Sequence, residues 1–194
     1  MTNAVLDIQE VSRDDPFSDM DLGEVRDWLR ITHTDEDADL RRYMVVAERQ
    51  ASIWCHASFA ETTLKLTCHD FNTNAGAKGE YSKVALVRGP ASSGTSMTDG
   101  TTTVSSGFSM DNRLPQRLNL PTDLQGNGEV DLVTQYVAGY ASWTAMPAHV
   151  QHLLLMTMAH VYTQRQPVIT GQTPTSVPWT LQACIAACQR EAMP

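Results

Sequence analysis

No stretch of the 194 residues reaches the run of about 18 apolar positions that a membrane-crossing helix needs. The segment Met1 to Asp15 is polar and acidic, so neither a secretory leader nor a membrane partner is expected, and the chain reads as made and kept in a cytoplasm. Basic residues are in short supply: 14 Lys and Arg stand against 22 Asp and Glu, a net charge of −8. That balance argues against a protein that grips nucleic acid through phosphate contacts, because an acidic surface repels DNA. Cysteine is scarce too. Cys55, Cys68, Cys184 and Cys188 follow no disulfide-scaffold spacing, and free thiols are expected. Missing as well are a glycine-rich phosphate loop, a nucleophile elbow and paired carboxylates in a cleft-like context.

The remaining candidates for chemistry are weak. Cys55-His56 and Cys68-His69 have metal-ligating side chains, but neighbours point about 100° apart on a helix and to opposite faces of a strand, so each pair splits. Cys184 and Cys188 share a helix face at i, i+4 with no histidine nearby in sequence, which favours packing. His149, His152 and His160 lack the intervening glutamate of a metalloprotease helix. Asp35-Glu36-Asp37 reads as a solvated helix start, favourable with the helix dipole. No catalytic residue, metal or cofactor is therefore assigned, and the chain is not read as an enzyme.

What the sequence does contain is a sharp change of period. Val130, Leu132, Thr134, Tyr136 and Ala138 alternate with Asp131, Val133, Gln135 and Val137, which predicts a half-buried strand ending at Gly139. Pro147 suits the start of a helix, where a missing N–H costs nothing. Val150, Leu153, Leu154, Met158, Val161 and Tyr162 then recur every three or four residues, and Leu155, Met156 and Ala159 widen the stripe beyond one face. A helix of that kind must be covered on more than one side, so it is expected at the centre of the core.

Around this centre, residues 1–17 lack periodicity and are read as a loose arm that a neighbour would order. Residues 18–194 form one domain. A short helix capped by Ser18 or Asp19 contains Leu22, Val25, Trp28, Leu29 and Ile31. A second, Asp37 to Ser58, places Leu40, Tyr43, Met44, Ala47, Ala51, Trp54 and Cys55 inward and Arg41, Arg42, Glu48, Arg49 and Gln50 mostly outward. A β-rich insertion over about 61–138 follows. It holds strands ending near Phe71, at Lys83–Arg88, at Leu114–Leu120 and at Glu129–Ala138, with a loop at Asn72–Gly79 and a turn at Gly126-Asn-Gly128. In residues 92–109, 14 of 18 positions are Ser, Thr or Gly, too few apolar groups for a core. Asp99-Gly100 suits a type I′ turn, so a projecting hairpin over about 94–106 is expected. Val168 to Pro178 reads as a linker before a last short helix containing Trp179, Leu181 and Ile185. The predicted fold is α+β: a small bundle of about four helices with an inserted antiparallel sheet and a projecting β-hairpin.

In order, Asp21-Leu-x-Glu-Val-Arg-x-Trp-Leu-Arg-Ile, Asp35-Glu-Asp-Ala-Asp-Leu, Arg88-x-Pro90, the Asp99-Gly100 hairpin, Phe108-Ser-Met-Asp111, Arg117-Leu118, Val137-Ala-Gly-Tyr140, Val161-Tyr-Thr-Gln-Arg165 and Val177-Pro178 span roughly residues 20–190. This ordered set resembles the head-tail connector (adaptor, or head-completion) proteins of tailed bacteriophages, in the branch with a β-rich insertion between helices. Gln164 stands where that family usually carries an acidic residue.

The resemblance implies a structural virion protein of the neck, made in the bacterial host cytoplasm. Its copies would form a ring, twelve in the virion, beneath the portal, with DNA passing through the lumen without sequence-specific binding. It further implies a portal protein on one side and a stopper or tail protein on the other. Under it, Thr98, Asp99, Gly100 and Thr101 are the candidate contact with a neighbouring subunit or the stopper. A carboxy-terminal segment of about 168–194, through Trp179, Leu181, Ile185 and Arg190, is the candidate portal dock. The competing readings are another neck or tail-completion protein and a small cytoplasmic enzyme with a Cys/His site.

Overall fold

The computed structural model describes residues 6–72, 83–106, 108–111, 116–124, 129–163 and 179–192. The expected turn at Gly126-Asn-Gly128, most of the loop at 72–79 and the linker Val168 to Pro178 lie outside them. In chain order the elements are β1 (Leu6–Arg13), α1 (Leu22–Leu29), α2 (Asp37–Cys55), β2 (Thr62–Asn72), β3 (Lys83–Ala85), β4 (Ala91–Thr98), β5 (Thr103–Val104), β6 (Met110–Asp111), β7 (Arg117–Asn119), β8 (Glu129–Ala138), α3 (Ala148–Thr163) and α4 (Trp179–Ala192). The fold is α+β, as the pattern of periods predicts.

Two cores divide the work. Helix α3 buries Val150, Leu153, Leu154, Leu155, Thr157 and Met158, and it packs against α2, α4 and α1. Val161 and Tyr162 are half-buried at its end, where the Tyr162 ring meets Tyr43 edge-on and its hydroxyl donates to Glu36 at 2.8 Å. Phe17, Met20, Trp143 and Met146 complete this helical core. The second core belongs to the insertion. A five-stranded antiparallel sheet, ordered β1-β2-β8-β4-β5, and a small sheet, ordered β3-β7-β6, bury Leu64, Leu66, Met97, Leu118, Leu132 and Tyr136. Strand β8 alternates as expected, with Leu132, Thr134, Tyr136 and Ala138 buried and Val133, Gln135 and Val137 half-buried.

Gly139 joins the two parts. Its φ is +101°, and a Cβ there would strike the Ala60 carbonyl, so the chain turns from β8 toward α3 only because this position has no side chain. Around it the Tyr140 amide donates to the Phe59 carbonyl and the Glu61 amide to the Tyr140 carbonyl, each at 3.0 Å.

Four expectations need correction. Residues 6–13 are an edge strand, not a loose arm: β1 pairs with β2 from Leu6↔Cys68 to Arg13↔Thr62. Main-chain ladder bonds hold it, and these leave little trace in side-chain pattern. Asp21, not Ser18 or Asp19, caps α1, accepting from the Gly23 amide at 2.7 Å. Asp19 instead accepts from the Trp143 and Thr144 amides at 2.9 and 3.2 Å and from the Thr144 hydroxyl at 2.8 Å. Those bonds, the hydroxyl's first, hold its carboxyl below the usual range. Glu48, expected to face outward, is 2% exposed. Finally, β4 is a full member of the large sheet, paired with β8 from Ala91↔Ala138 to Thr98↔Val133. Only the tip of the predicted hairpin therefore stands clear.

Candidate functional site

The tip is a four-residue turn, Asp99 to Thr102, between the paired Thr98 and Thr103. It is not type I′, since that turn needs positive φ at both central residues; here Gly100 has φ +89° while Thr101, the other central residue, is not among the left-handed residues. The Asp99 carboxylate replaces the backbone turn, accepting from the Thr101 and Thr102 amides at 2.9 and 2.6 Å. Thr98 Oγ1 accepts from the Gly100 amide at 3.2 Å and from the Thr103 hydroxyl at 3.1 Å. Gly100 and Thr101 are exposed, and nothing lies within 4 Å of where a Gly100 Cβ would sit. The tip is thus ordered from within and open to a partner. At its root, Met97 is fully buried between the sheets, and Gly94 packs under the Phe108 ring.

The carboxy-terminal candidate divides differently. Leu181 is 2% and Cys188 3% exposed, both in the helical core, and Ile185 packs partly against it. Gln189 Nε2 donates to the Trp54 carbonyl at 2.7 Å, which latches α4 to the end of α2. The side chains of Trp179 and Arg190 lie outside the described residues. Thr180, Ala183 and Ala187 form the outward side of α4, exposed and uncharged. Helical spacing had marked Leu181, Ile185 and Cys188 as one face; packing shows that this face is turned inward.

The metal-type pairs separate in space. Cys55 is buried against α4, where its hydrogen bond with Cys188 and its burial push the thiol well above the ordinary range, while His56 is exposed with φ +52° as the α2 cap. Cys68 is buried and pushed up to about 11, whereas His69 is 42% exposed and sits 3.2 Å from Asp131. Among the described residues no three His, Cys, Asp or Glu side chains converge on a metal-sized site.

Sequence reasoning missed a joint between the sheet and the bundle. The Arg13 guanidinium, at the end of β1, pairs with the buried Glu48 carboxylate of α2. Glu48 also accepts from the Ser52 hydroxyl at 2.7 Å and from the Ala60 amide at 3.3 Å. The signal was present. Glu48 lies four residues after Met44, three before Ala51 and seven before Cys55, which are all buried, so it occupies the inward stripe whatever its polarity. Beside it, Arg49 grips Glu10 of β1 with two bonds of 2.9 and 3.0 Å, and these hold the Glu10 carboxyl below its usual range.

No protein-family model and no curated protein matches the chain. Solved structures do. A chain from the neck of an empty gene transfer agent particle, computed with six-fold symmetry, aligns over 94% of this chain and 95% of its own length, with 20% identity and a TM-score of 0.66. A chain from the virion of the native particle aligns over 94% of both, with 19% identity and a TM-score of 0.67. A third, from the neck of the native particle computed with twelve-fold symmetry, gives 94% of both, 17% identity and 0.64. At these identities what is shared is the fold: this chain has the architecture of subunits from the neck and virion of gene transfer agent particles.

Proposed function

We propose that this chain is a structural subunit of the neck of a tailed, phage-like particle, a head-tail connector that works as a ring rather than as a catalyst. The observation that carries this reading is the end-to-end likeness, 94% of the chain, to subunits of necks computed with six-fold and twelve-fold symmetry. The resemblance seen in the sequence adds the portal, the stopper and the passage of DNA through the lumen. An acidic chain with a net charge of −8 fits a channel that lets DNA slide without holding it.

Two surfaces suit the partners. The Asp99–Thr102 tip is a preformed polar contact for a neighbouring subunit or the stopper. The carboxy-terminal segment meets the portal through the outward side of α4, with Trp179 and Arg190 at its two ends, while Leu181 and Ile185 hold that helix in place.

The test is native mass spectrometry of the protein alone and mixed with its portal, followed by electron microscopy of the mixture. A cyclic species, or a ring seated on the portal, is expected. A strict monomer in both conditions would overturn the ring reading, and a ring that binds tail tube but not portal would move the protein to the other end of the neck.

A further inference from the structure

A ring needs two different surfaces on each copy, one for the neighbour on either side. The outward faces of α2 and α1 have the chemistry of such a pair. At about 100° per residue, Arg41, Val45, Arg49, Ile53 and Val46 fall within one arc of about 140° on α2, turned away from the helical core. Val45 is 48% exposed, Val46 51% and Ile53 65%. Single exposed aliphatic residues are ordinary. Three on one arc are all β-branched and poorer helix formers than the Lys, Glu or Ala of a solvated face; Val45 borders a cavity with Pro16 and Phe17, and Val46 and Ile53, the more exposed two, mark a contact.

The arc is basic on an acidic chain. It holds no exposed carboxylate of its own; Arg42 pairs with Asp39 at its border and Arg49 with Glu10 of β1. Arg41 makes no ion pair among the described residues. Helix α1 has the opposite character. Asp21, Glu24 and Asp27 are exposed, and Trp28, 44% exposed, stands edge-on to His152 with ring centres 5.4 Å apart. Spacings of three and four bring Asp21, Glu24 and Trp28 to one side. Of the basic residues in α1 and its cap, Arg26 is engaged by Asp37 at 2.7 Å, and Arg30 lies beyond the acidic side at the carboxy-terminal end.

We infer that these two faces meet between copies: the basic, aliphatic face of α2 on one subunit seats against the acidic, aromatic face of α1 on the next. The inference rests on the ring reading and adds to it the surfaces that close the ring. Because each copy contributes a different face to each neighbour, the contact is heterologous and repeats around a circle. Trp28 supplies the aromatic anchor, Val46 and Ile53 the aliphatic bed, and Arg41 faces Asp27 or Glu24 across the rim.

Two variants, Ile53→Asp and Asp27→Arg, change exposed positions and should keep the melting temperature of the parent. Their assembly is compared with the parent by sedimentation velocity, alone and on the portal. Each variant by itself should lose the ring, whereas a one-to-one mixture should give a heterodimer and nothing larger, since one good α2 face and one good α1 face remain between them. Rings of normal size from either variant would overturn this interface and leave the ring reading standing. Normal rings that no longer bind the portal would do the same and reassign the face to the portal. A monomeric parent in both conditions would overturn the interface and the ring together.

Discussion

Arg13 and Glu48 lie 35 residues apart in sequence and form an ion pair that fastens the edge strand β1 to helix α2, with the Glu48 side chain 2% exposed. Burial and the nearby Arg49 lower the guanidinium to about 10, which still leaves it charged at neutral pH. A buried pair of this kind is costly to break from one side, because the survivor is an uncompensated charge. Glu48→Ala and Arg13→Ala should each lose about 3–5 kcal/mol in urea unfolding. The double change Arg13→Leu with Glu48→Leu should lose less than the sum of the singles. Strict additivity would show that the two groups do not depend on one another.

Gly139→Ala should lower the melting point sharply. The backbone there sits at φ +101°, and the new methyl group would meet the Ala60 carbonyl at the join between sheet and bundle. Strain of about 1–3 kcal/mol comes from the backbone alone, before any steric term. A melting temperature within a degree of the parent would mean that Ala60 can move away freely, which the surrounding hydrogen bonds argue against.

The hairpin should separate into a structural half and a contact half. Met97→Ala opens a cavity between the two sheets and is expected to cost about 2–5 kcal/mol. Replacing Asp99–Thr102 by a Gly-Ser turn should leave unfolding nearly unchanged and reduce assembly with the neighbouring subunit or stopper. Loss of the folded state on replacing only the tip would place the tip in the fold instead.

Helix α4 should behave as part of the core. Leu181→Ala is expected to cost about 2–5 kcal/mol in chemical unfolding. By contrast Ala187→Arg, on the outward side, should leave stability alone and weaken portal capture in a pull-down. Equal and small effects from both variants would mean that α4 detaches readily from α2 and α3.

At alkaline pH, burial of Cys68 and Tyr136 should give two overlapping losses of stability, beside a loss from the buried Cys55 thiol, which is raised too, and an opposing gain above about pH 10 from the lowered Arg13 guanidinium. Cys68 ordinarily titrates near 9.0 and is pushed up to about 11 by burial; Tyr136 ordinarily titrates near 10.0 and is pushed up to about 12 by the same cause. Both raised values mean that the folded state holds its proton more tightly than the unfolded chain. Their contributions are therefore complete below about pH 9, then lost between pH 9 and 11 for Cys68 and between pH 10 and 12 for Tyr136. The tyrosine step amounts to roughly 3 kcal/mol. Melting curves from pH 7 to 12 of the parent and of Tyr136→Phe check this, and the variant should lose less stability than the parent between pH 10 and 12. Equal losses in the parent and in Tyr136→Phe over that window would refute it.

Much of the architecture was legible in one dimension because burial imposes its period on the chain. The alternation from Val130 to Ala138, the stripe from Val150 to Tyr162 and the glycine between them determine β8, α3 and their junction, since a period of 2 and one of 3.6 cannot bury the same residues on one face. The Asp99-Gly100 pair likewise located the hairpin tip, though the carboxylate's bonds to Thr101 and Thr102 set its turn type.

Tertiary structure decided what periodicity does not encode. Strand β1 is held by main-chain bonds to β2, and of its side chains Ile8 packs against the sheet core, so its residues carry too short a pattern to mark a strand. Spacing puts Glu48 on the inward stripe of α2, but no local rule reveals that Arg13 arrives from another element to balance its charge. The apolar face of α4 closes on its own bundle because Leu181 and Cys188 find α2 and α3, whereas spacing alone fits an inward or an outward partner equally well. The exposure of Val45, Val46 and Ile53 likewise emerges only once α2 has chosen which side to bury: amphipathicity defines that a helix has faces, and the neighbours it packs against determine which face remains for another molecule.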